Sequence, residues 1–293
     1  MSRIFDALRH SEIEGQEPPI ITPADAAELL RETQAVRLRL DEVASVTTNG
    51  RSPLMVALND EHGLASEKFR VLATRLKHLR DHHEFKLVHV TSSVIGEGKS
   101  LVAANLALTL AQRNQYRVLL IDGDMRKPAI NSLLGIEAEV GLGDWWHAGD
   151  SPLNYLLRIE DLGLWVLPAG MTEAPTQILQ SNRTKDLVAQ LSECFDWVII
   201  DSPPVLPMAD ANLWARIADG TLLVVREGKT PRRALERALQ NLDNPKLLGV
   251  VLNDASDLDR INYYDRYYVA YGKRNGNGRK DKSGQSEAKG ASV

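Results

Sequence analysis

From Lys86 onward the chain alternates short apolar runs with longer amphipathic ones, and the period of each run sets the element it predicts. Lys86 to Thr91, Arg117 to Ile121, Leu164 to Leu167, Trp197 to Ile200, Gly220 to Val225 and Leu247 to Leu252 read as strands, with helical stretches between most of them. Short apolar strands that alternate with helices imply a mainly parallel sheet covered by helices on both faces. The clearest helix is Ser100 to Gln112, where Leu101, Val102, Ala104, Leu106, Ala107, Leu108, Leu110 and Ala111 leave little polar surface. Upstream, Phe69, Leu72, Leu76 and Leu79 make one stripe on a helix near Leu64 to Arg80. From Ala24 to about Val46, the spacing of Ala27, Leu30, Val36, Leu40 and Val43 among charges predicts a solvent-facing helix, introduced by Thr22-Pro23. A short amphipathic piece over residues 1–15 and a proline-bearing linker over 16–23 precede it. The organisation that follows is an extension and linker over 1–53, an α/β domain over 54–260, a tyrosine cluster over 261–272 and a disordered basic tail over 273–293.

Composition narrows this picture without redirecting it. The 293 residues are 43% hydrophobic and 25% charged, the balance of a soluble globular protein, and the net charge of −4 provides no basic field for nucleic acid. The single cysteine, Cys194, excludes an intramolecular disulfide and reads as a small buried side chain. No apolar run reaches the roughly 18 residues of a membrane span, and the first six residues are too short and charged for a signal peptide. The expected location is the cytoplasm, with any place at the inner face of the membrane supplied by a partner. His78, His82 and His83 close the second helix without a carboxylate or cysteine set around them, which reads as a solvated helix end rather than a metal site.

In a parallel sheet ligands lie at the carboxyl ends of the strands, so the polar residues there carry the chemistry. The first strand runs into Ser92-Ser-Val-Ile-Gly-Glu-Gly-Lys-Ser100 and then into the apolar helix, the arrangement of a phosphate-binding loop. Gly96 and Gly98 let backbone N–H groups close on phosphate oxygens, and the helix N-terminus adds its positive end. Lys99 is placed to reach the β and γ phosphates and Ser100 to ligate Mg²⁺. The strict pattern wants glycine six residues before the lysine, and Ser93 stands there; the strand and helix on either side restore the reading. Leu119 to Pro128 puts Asp122 and Asp124 at a second strand end, and Val198 to Pro204 puts Asp201 at a third. Isolated aspartates at strand ends provide the few hard oxygen ligands that a phosphate-bridging cation needs. The last strand ends in Asn253, a candidate contact for a nucleotide base. Beyond it, five of the seven tyrosines fall at 263, 264, 267, 268 and 271, followed by a tail with six basic and two acidic residues.

Together, the loop at 92–100, the Asp-x-Asp-x-Arg core of Leu119 to Pro128, the Asp-x-Pro-Pro of Val198 to Pro204 and the C-terminal tyrosines resemble bacterial protein tyrosine kinases of the exopolysaccharide-synthesis type. The resemblance covers roughly Leu54 to Gly272, and residues Met1 to Leu8 look like the branch found with exosortase gene clusters. It implies a P-loop NTPase fold and an ATP- and Mg²⁺-dependent tyrosine autokinase that acts on Tyr263, Tyr264, Tyr267, Tyr268 and Tyr271 and regulates polysaccharide polymerisation or export. Carried over residue by residue, it makes Ser93, Gly96, Glu97, Gly98, Lys99, Ser100 and Leu101 the nucleotide loop, with Asn253 beside it. It makes Ser100, Asp124 and Asp201 the metal-supporting groups, Asp122 the base for the tyrosine hydroxyl, and Arg126 either a phosphate-charge stabiliser or a structural partner. A membrane chain-length regulator and a cognate tyrosine phosphatase are the implied partners, with self-association. The chain departs from the family at Ile95, where proline is usual, and at Ala73, which replaces the second arginine of the Glu67-x-x-Arg70 contact motif and counts against the family's octameric ring. Two other readings fit the nucleotide motifs: a cell-positioning or partitioning ATPase that switches by dimerising, and a nucleotide-binding regulator without turnover.

Overall fold

The structure, a computed structural model, describes residues 38–50, 52–60, 63–112, 115–242 and 246–255. The chain divides into two units after Asn253, and the first of them holds the sheet and its helices. The expected amphipathic piece at 1–15, the linker at 16–23, the helix expected before residue 38, the five clustered tyrosines and the basic tail lie outside the described residues.

Eight strands form one sheet: β1 (Ala44–Val46), β2 (Leu87–Ser92), β3 (Val118–Asp122), β4 (Leu157–Ile159), β5 (Leu164–Leu167), β6 (Trp197–Asp201), β7 (Gly220–Arg226) and β8 (Leu247–Asn253). Their order is β1-β4-β5-β3-β6-β2-β7-β8, and every neighbouring pair is parallel except β4 with β5. The described helices are α1 (Val56–Asn59), α2 (Leu64–His82), α3 (Lys99–Ala111), α4 (Ile130–Leu134), α5 (Leu142–Ala148), α6 (Pro175–Gln180), α7 (Asn182–Cys194), α8 (Asp210–Ile217) and α9 (Arg232–Asn241).

Strand residues alternate between two apolar layers, as a pleated strand requires. Val88, Val90, Leu120, Ile199 and Val224 face a core shared with Leu76 of α2 and Leu106 and Leu110 of α3. Leu87, Leu119, Ile121, Val198 and Ile200 face a second core with Leu187 and Leu191 of α7 and Trp214 of α8. With both faces covered, the middle strands read as continuous apolar runs, and only the strand ends remain for polar chemistry.

Helix α3 is buried at ten of its thirteen residues, which explains why its sequence is apolar almost all round. Its one fully buried amide, Asn105, accepts from Ala57 N (3.1 Å) and donates to the carbonyls of Leu54 (3.2 Å) and Leu101 (3.0 Å). A single side chain thus satisfies the backbone of the segment that enters α1. Cys194 is buried, as expected.

Two expectations need correction. The helix expected through Val46 does not continue that far: Leu40–Glu42 is a single 3-10 turn, and Ala44–Val46 pairs in parallel with Leu157–Ile159. Val43 is buried in the second core, so the end of the extension is drawn into the sheet. Strand β4 has no counterpart among the expected strands. Its three residues include the charged Arg158, and a run that short carries no readable period. Several strands also run one residue further than their apolar stretch, so Asp122, Asp201 and Asn253 are the last strand residues rather than the first loop ones.

We expect Asn105→Leu to lower stability by about 2 kcal/mol, because the buried Ala57 N–H loses its acceptor. Urea unfolding of the two proteins measures it.

Candidate active site

β2 runs buried to Ser92, and the chain turns through residues 93–98 into α3. Gly96 (φ 86°) and Gly98 (φ 90°) take left-handed backbone angles that a Cβ disfavours. At Gly98 a Cβ would also overlap the side-chain amide of Asn253. Ser93 has no such constraint: among the described residues, Asp254 is the only non-glycine with positive φ. Serine therefore stands in the position of the motif's first glycine without backbone strain. Its hydroxyl is buried and unbonded.

The loop opens onto a cavity of about 450 Å³ whose walls include Gly96, Gly98, Lys99, Ser100, Leu101, Asp124 and Arg126, with Pro203, Pro204 and Met208 opposite. Lys99 Nζ lies 2.9 Å from Asp124 Oδ2, 3.8 Å from Asp201 Oδ1 and 3.1 Å from Ser100 Oγ. Burial works to lower the Lys99 pKa, but Asp201 and Asp124 outweigh it and hold the ammonium above its ordinary value. Lys99 is thus a fixed positive charge at the mouth of the loop.

Asp122 and Asp201 are directly opposed on β3 and β6. Burial pushes the Asp122 carboxyl up to about 6, even though Ile130 N and Ala129 N both donate to its Oδ2 at 3.0 Å and Asp124 N to Oδ1 at 3.3 Å. It anchors the start of α4 and does not line the cavity, with Oδ1 its more weakly held oxygen. Asp124 does line the cavity, and its Oδ1 accepts from Lys127 N at 3.1 Å. Gly123 between them is needed for close approach: a Cβ would come within 2.6 Å of both Asp201 O and Trp214 Nε1. The turn is fastened by Gly123 N to Asp201 O (2.8 Å) and by Trp214 Nε1 to Gly123 O (3.0 Å).

Asp201 is fully buried, and neither carboxylate oxygen has a hydrogen-bond partner of ordinary geometry. Burial, reinforced by Asp122 against the pull of Lys99 and of the nearby Ser100 hydroxyl, pushes its carboxyl up to about 7. Asp201 lies behind the cavity wall, 3.8 Å from Lys99, while Ser100 and Asp124 line the cavity itself; together these oxygens form a donor set that fits a hard divalent cation. Among the described residues no three His, Cys, Asp or Glu side chains converge on one point. Mg²⁺ does not need them, since it usually takes one or two carboxylates and completes its shell with water and substrate phosphate.

Two of the expected site residues have partners that the sequence did not announce. Arg126 does not contact the aspartates of its own motif; Nε donates to Asp210 Oδ2 (2.7 Å) and Nη2 to Thr176 Oγ1 (2.9 Å), and Thr176 Oγ1 in turn donates to Asp210 Oδ1 (2.7 Å). The guanidinium is held at the cavity wall by α6 and α8, which favours the structural alternative. Asn253 is also engaged by the protein itself. Its Nδ2 donates to Glu97 O at 2.9 Å, so it supports the phosphate loop from beneath. Glu97 itself is turned inward and buried.

Sequence reasoning missed His89. It lies fully buried in β2, with Nε2 2.6 Å from Ser202 Oγ and Nδ1 3.2 Å from Thr221 Oγ1, and burial lowers its pKa to about 3. The neutral ring therefore ties the residue after Asp201 to β7. A histidine inside an otherwise apolar strand was the available signal. By contrast, His78, His82 and His83 lie at the end of α2, where His82 and His83 are exposed.

Comparison with known proteins supplies the remaining finding. A family model described as a ParA/NUBPL iron-transfer P-loop NTPase matches residues 85–253. The tyrosine-protein kinase YwqD of Bacillus subtilis is 35% identical over 202 residues, 68% of this chain and 85% of that protein. The succinoglycan biosynthesis transport protein ExoP of Rhizobium meliloti is 30% identical over 253 residues, 80% of this chain but 31% of its own length, so the chain spans about a third of that longer relative. The solved kinase domain of the Escherichia coli tyrosine kinase ETK superposes with a TM-score of 0.65 at 25% identity, covering 72% of this chain and 88% of that one.

A raised carboxylate has a definite pH signature. Below its unfolded value, near 4, the Asp201 carboxyl favours the folded apo protein, and this advantage is lost as pH rises through about 7. Cation binding runs the other way, because the ligand must shed its proton. Mg²⁺ affinity in the presence of ADP should rise about tenfold between about pH 6 and 8, the change in ionised fraction for a group near 7. Titration calorimetry should show this slope in the native protein and a flat profile in Asp201→Asn.

Proposed function

We infer the activity from a single premise, that this chain belongs to the bacterial tyrosine-protein kinases on a P-loop NTPase fold. It is a protein-tyrosine kinase, and one of its relatives is named for the biosynthesis and transport of a polysaccharide, succinoglycan. The observation that carries the residue-level reading is the meeting of Lys99, Asp124 and Asp201 at the open end of the glycine loop. Phosphoryl transfer needs little covalent help from a protein; it needs positioned cations on the transferring phosphate and an acceptor held in line. The residues present fit ATP and Mg²⁺ in this way. Lys99 and the loop N–H groups would hold the β and γ phosphates, and Ser100, Asp124 and Asp201 would hold the cation, which when bound neutralises charge that builds on the phosphate oxygens. A tyrosine hydroxyl titrates near 10, so at neutral pH it needs a group that takes its proton. Asp122, raised to about 6 and buried behind the cavity wall, is the proton acceptor we assign; its less engaged Oδ1 has to come within reach of the hydroxyl when the acceptor tyrosine binds. Arg126, braced by Asp210 and Thr176, keeps positive charge at the cavity wall.

The acceptor tyrosines we propose are Tyr263, Tyr264, Tyr267, Tyr268 and Tyr271, and the process is control of polysaccharide polymerisation or export. Among the described residues no helix is long and apolar enough to cross a membrane. A membrane chain-length regulator that recruits and activates the kinase, and a phosphatase that resets it, complete the proposed system.

Incubation with γ-labelled ATP and Mg²⁺, followed by mapping of the label, tests the assignment. We expect label on the clustered tyrosines, none in Lys99→Met, and in Asp122→Asn a loss of labelling much larger than any loss of ATP binding. Release of free phosphate with no labelled tyrosine would instead support the switch ATPase reading. Equal losses of labelling and binding in Asp122→Asn would remove it as the base.

A further inference from the structure

Glu97 presents a physical problem. It places a carboxylate between two glycines of a loop that must receive polyphosphate, where an outward-facing negative charge would oppose the ligand. The structure resolves this by turning the side chain inward, 3% exposed, and occupying both its oxygens. Val94 N donates to Oε2 at 2.9 Å, and the hydroxyl of Thr230 donates to Oε1.

The Thr230 hydroxyl is not free to choose another partner. It accepts from Arg226 N at 3.0 Å, and its one proton is thereby directed to Glu97. The short turn from β7 to α9 that carries it passes through Gly228 (φ 65°), a left-handed angle that lets the chain fold back over the phosphate loop. The same region holds the loop's carbonyls: Arg226 Nη1 donates to Gly96 O at 3.3 Å, and Asn253 Nδ2 to Glu97 O at 2.9 Å. In a trans peptide the N–H points opposite to the C=O, so holding the carbonyls of Gly96 and Glu97 toward β7 and β8 directs the N–H groups of Glu97 and Gly98 away from those strands, as phosphate binding requires.

We propose that Thr230 is a positioning residue for nucleotide binding: its hydroxyl keeps the Glu97 carboxylate folded beneath the phosphate loop and away from the phosphates. Without it, a buried carboxylate loses a donor and turns outward toward water, carrying its charge to the mouth of the site and loosening the turn between Gly96 and Gly98. The inference rests on the nucleotide-site reading above and adds the residue that sets the loop's ready state.

The test is equilibrium binding of the fluorescent probe N-methylanthraniloyl-ADP with Mg²⁺, which involves no chemical step, alongside thermal unfolding of each protein. Thr230→Val should weaken binding by about tenfold or more, the scale of a lost buried bond to a charged group. Thr230→Ser, which keeps the hydroxyl, should stay close to the native affinity. Glu97→Gln in the Thr230→Val background should recover most of the loss, because the amide carries no charge to expel. A purely structural threonine would lower the melting temperature without that recovery. Native affinity in Thr230→Val, equal losses in the Ser and Val variants, or no recovery in the double variant would each overturn the proposal. Native protein that binds the probe but labels no tyrosine would sink the kinase reading while leaving this one standing.

Discussion

The structure depends on a charge balance that the sheet imposes. Apolar layers cover both faces of the central strands, so ionised groups are confined to the carboxyl ends, where Asp124 and Asp201 approach one lysine and Asp122 stands directly opposite Asp201. One ammonium does not match three carboxylates at the inner wall of the cavity, two of them fully buried. The imbalance shows in the titration of the pair: burial displaces the carboxyls of both Asp122 and Asp201 upward, to about 6 and about 7. A divalent cation offers an answer, and a nucleotide's phosphates then find positive charge already in place. Site and fold are thus one electrostatic arrangement: the layers that stabilise the sheet also create the deficit that the ligand makes good.

Much of this was legible in the sequence because it is local. Six of the strands and the helices Leu64–His82 and Lys99–Ala111 followed from period and apolar content, and the phosphate loop from glycines set between a strand and a helix. The aspartates stood out because the sheet type dictates where to look. Ser93 breaks the strict motif, yet the flanking strand and helix form around it all the same, because its backbone never needed glycine.

What stayed hidden depends on partners distant in sequence. Nothing near Arg126 announces Asp210, 84 positions away, nor does anything near Asn253 announce the carbonyl of Glu97, 156 positions away. Both side chains are tied into the protein's own scaffold by these bonds, which no local pattern announces. His89 shows the converse. Its strand is plain in the sequence, but a polar residue in a buried strand acquires meaning only when Ser202 and Thr221 arrive from neighbouring segments. The extension ending in β1 eludes the sequence for a related reason: amphipathic spacing cannot register that a sheet edge is waiting for three residues.

Trp214 gives the fold a property of a different kind. Its indole is fully enclosed, and the Nε1–H is bonded to the carbonyl of Gly123, the peptide that separates two of the three carboxylates. Indole emission responds to the polarity and hydrogen bonding around that nitrogen. Filling the neighbouring cavity, or changing the charge on either aspartate, alters the field at the ring. The protein therefore carries an intrinsic optical reporter wired by one hydrogen bond to its own chemistry, and its difference spectrum against Trp214→Phe isolates that signal from the other tryptophans.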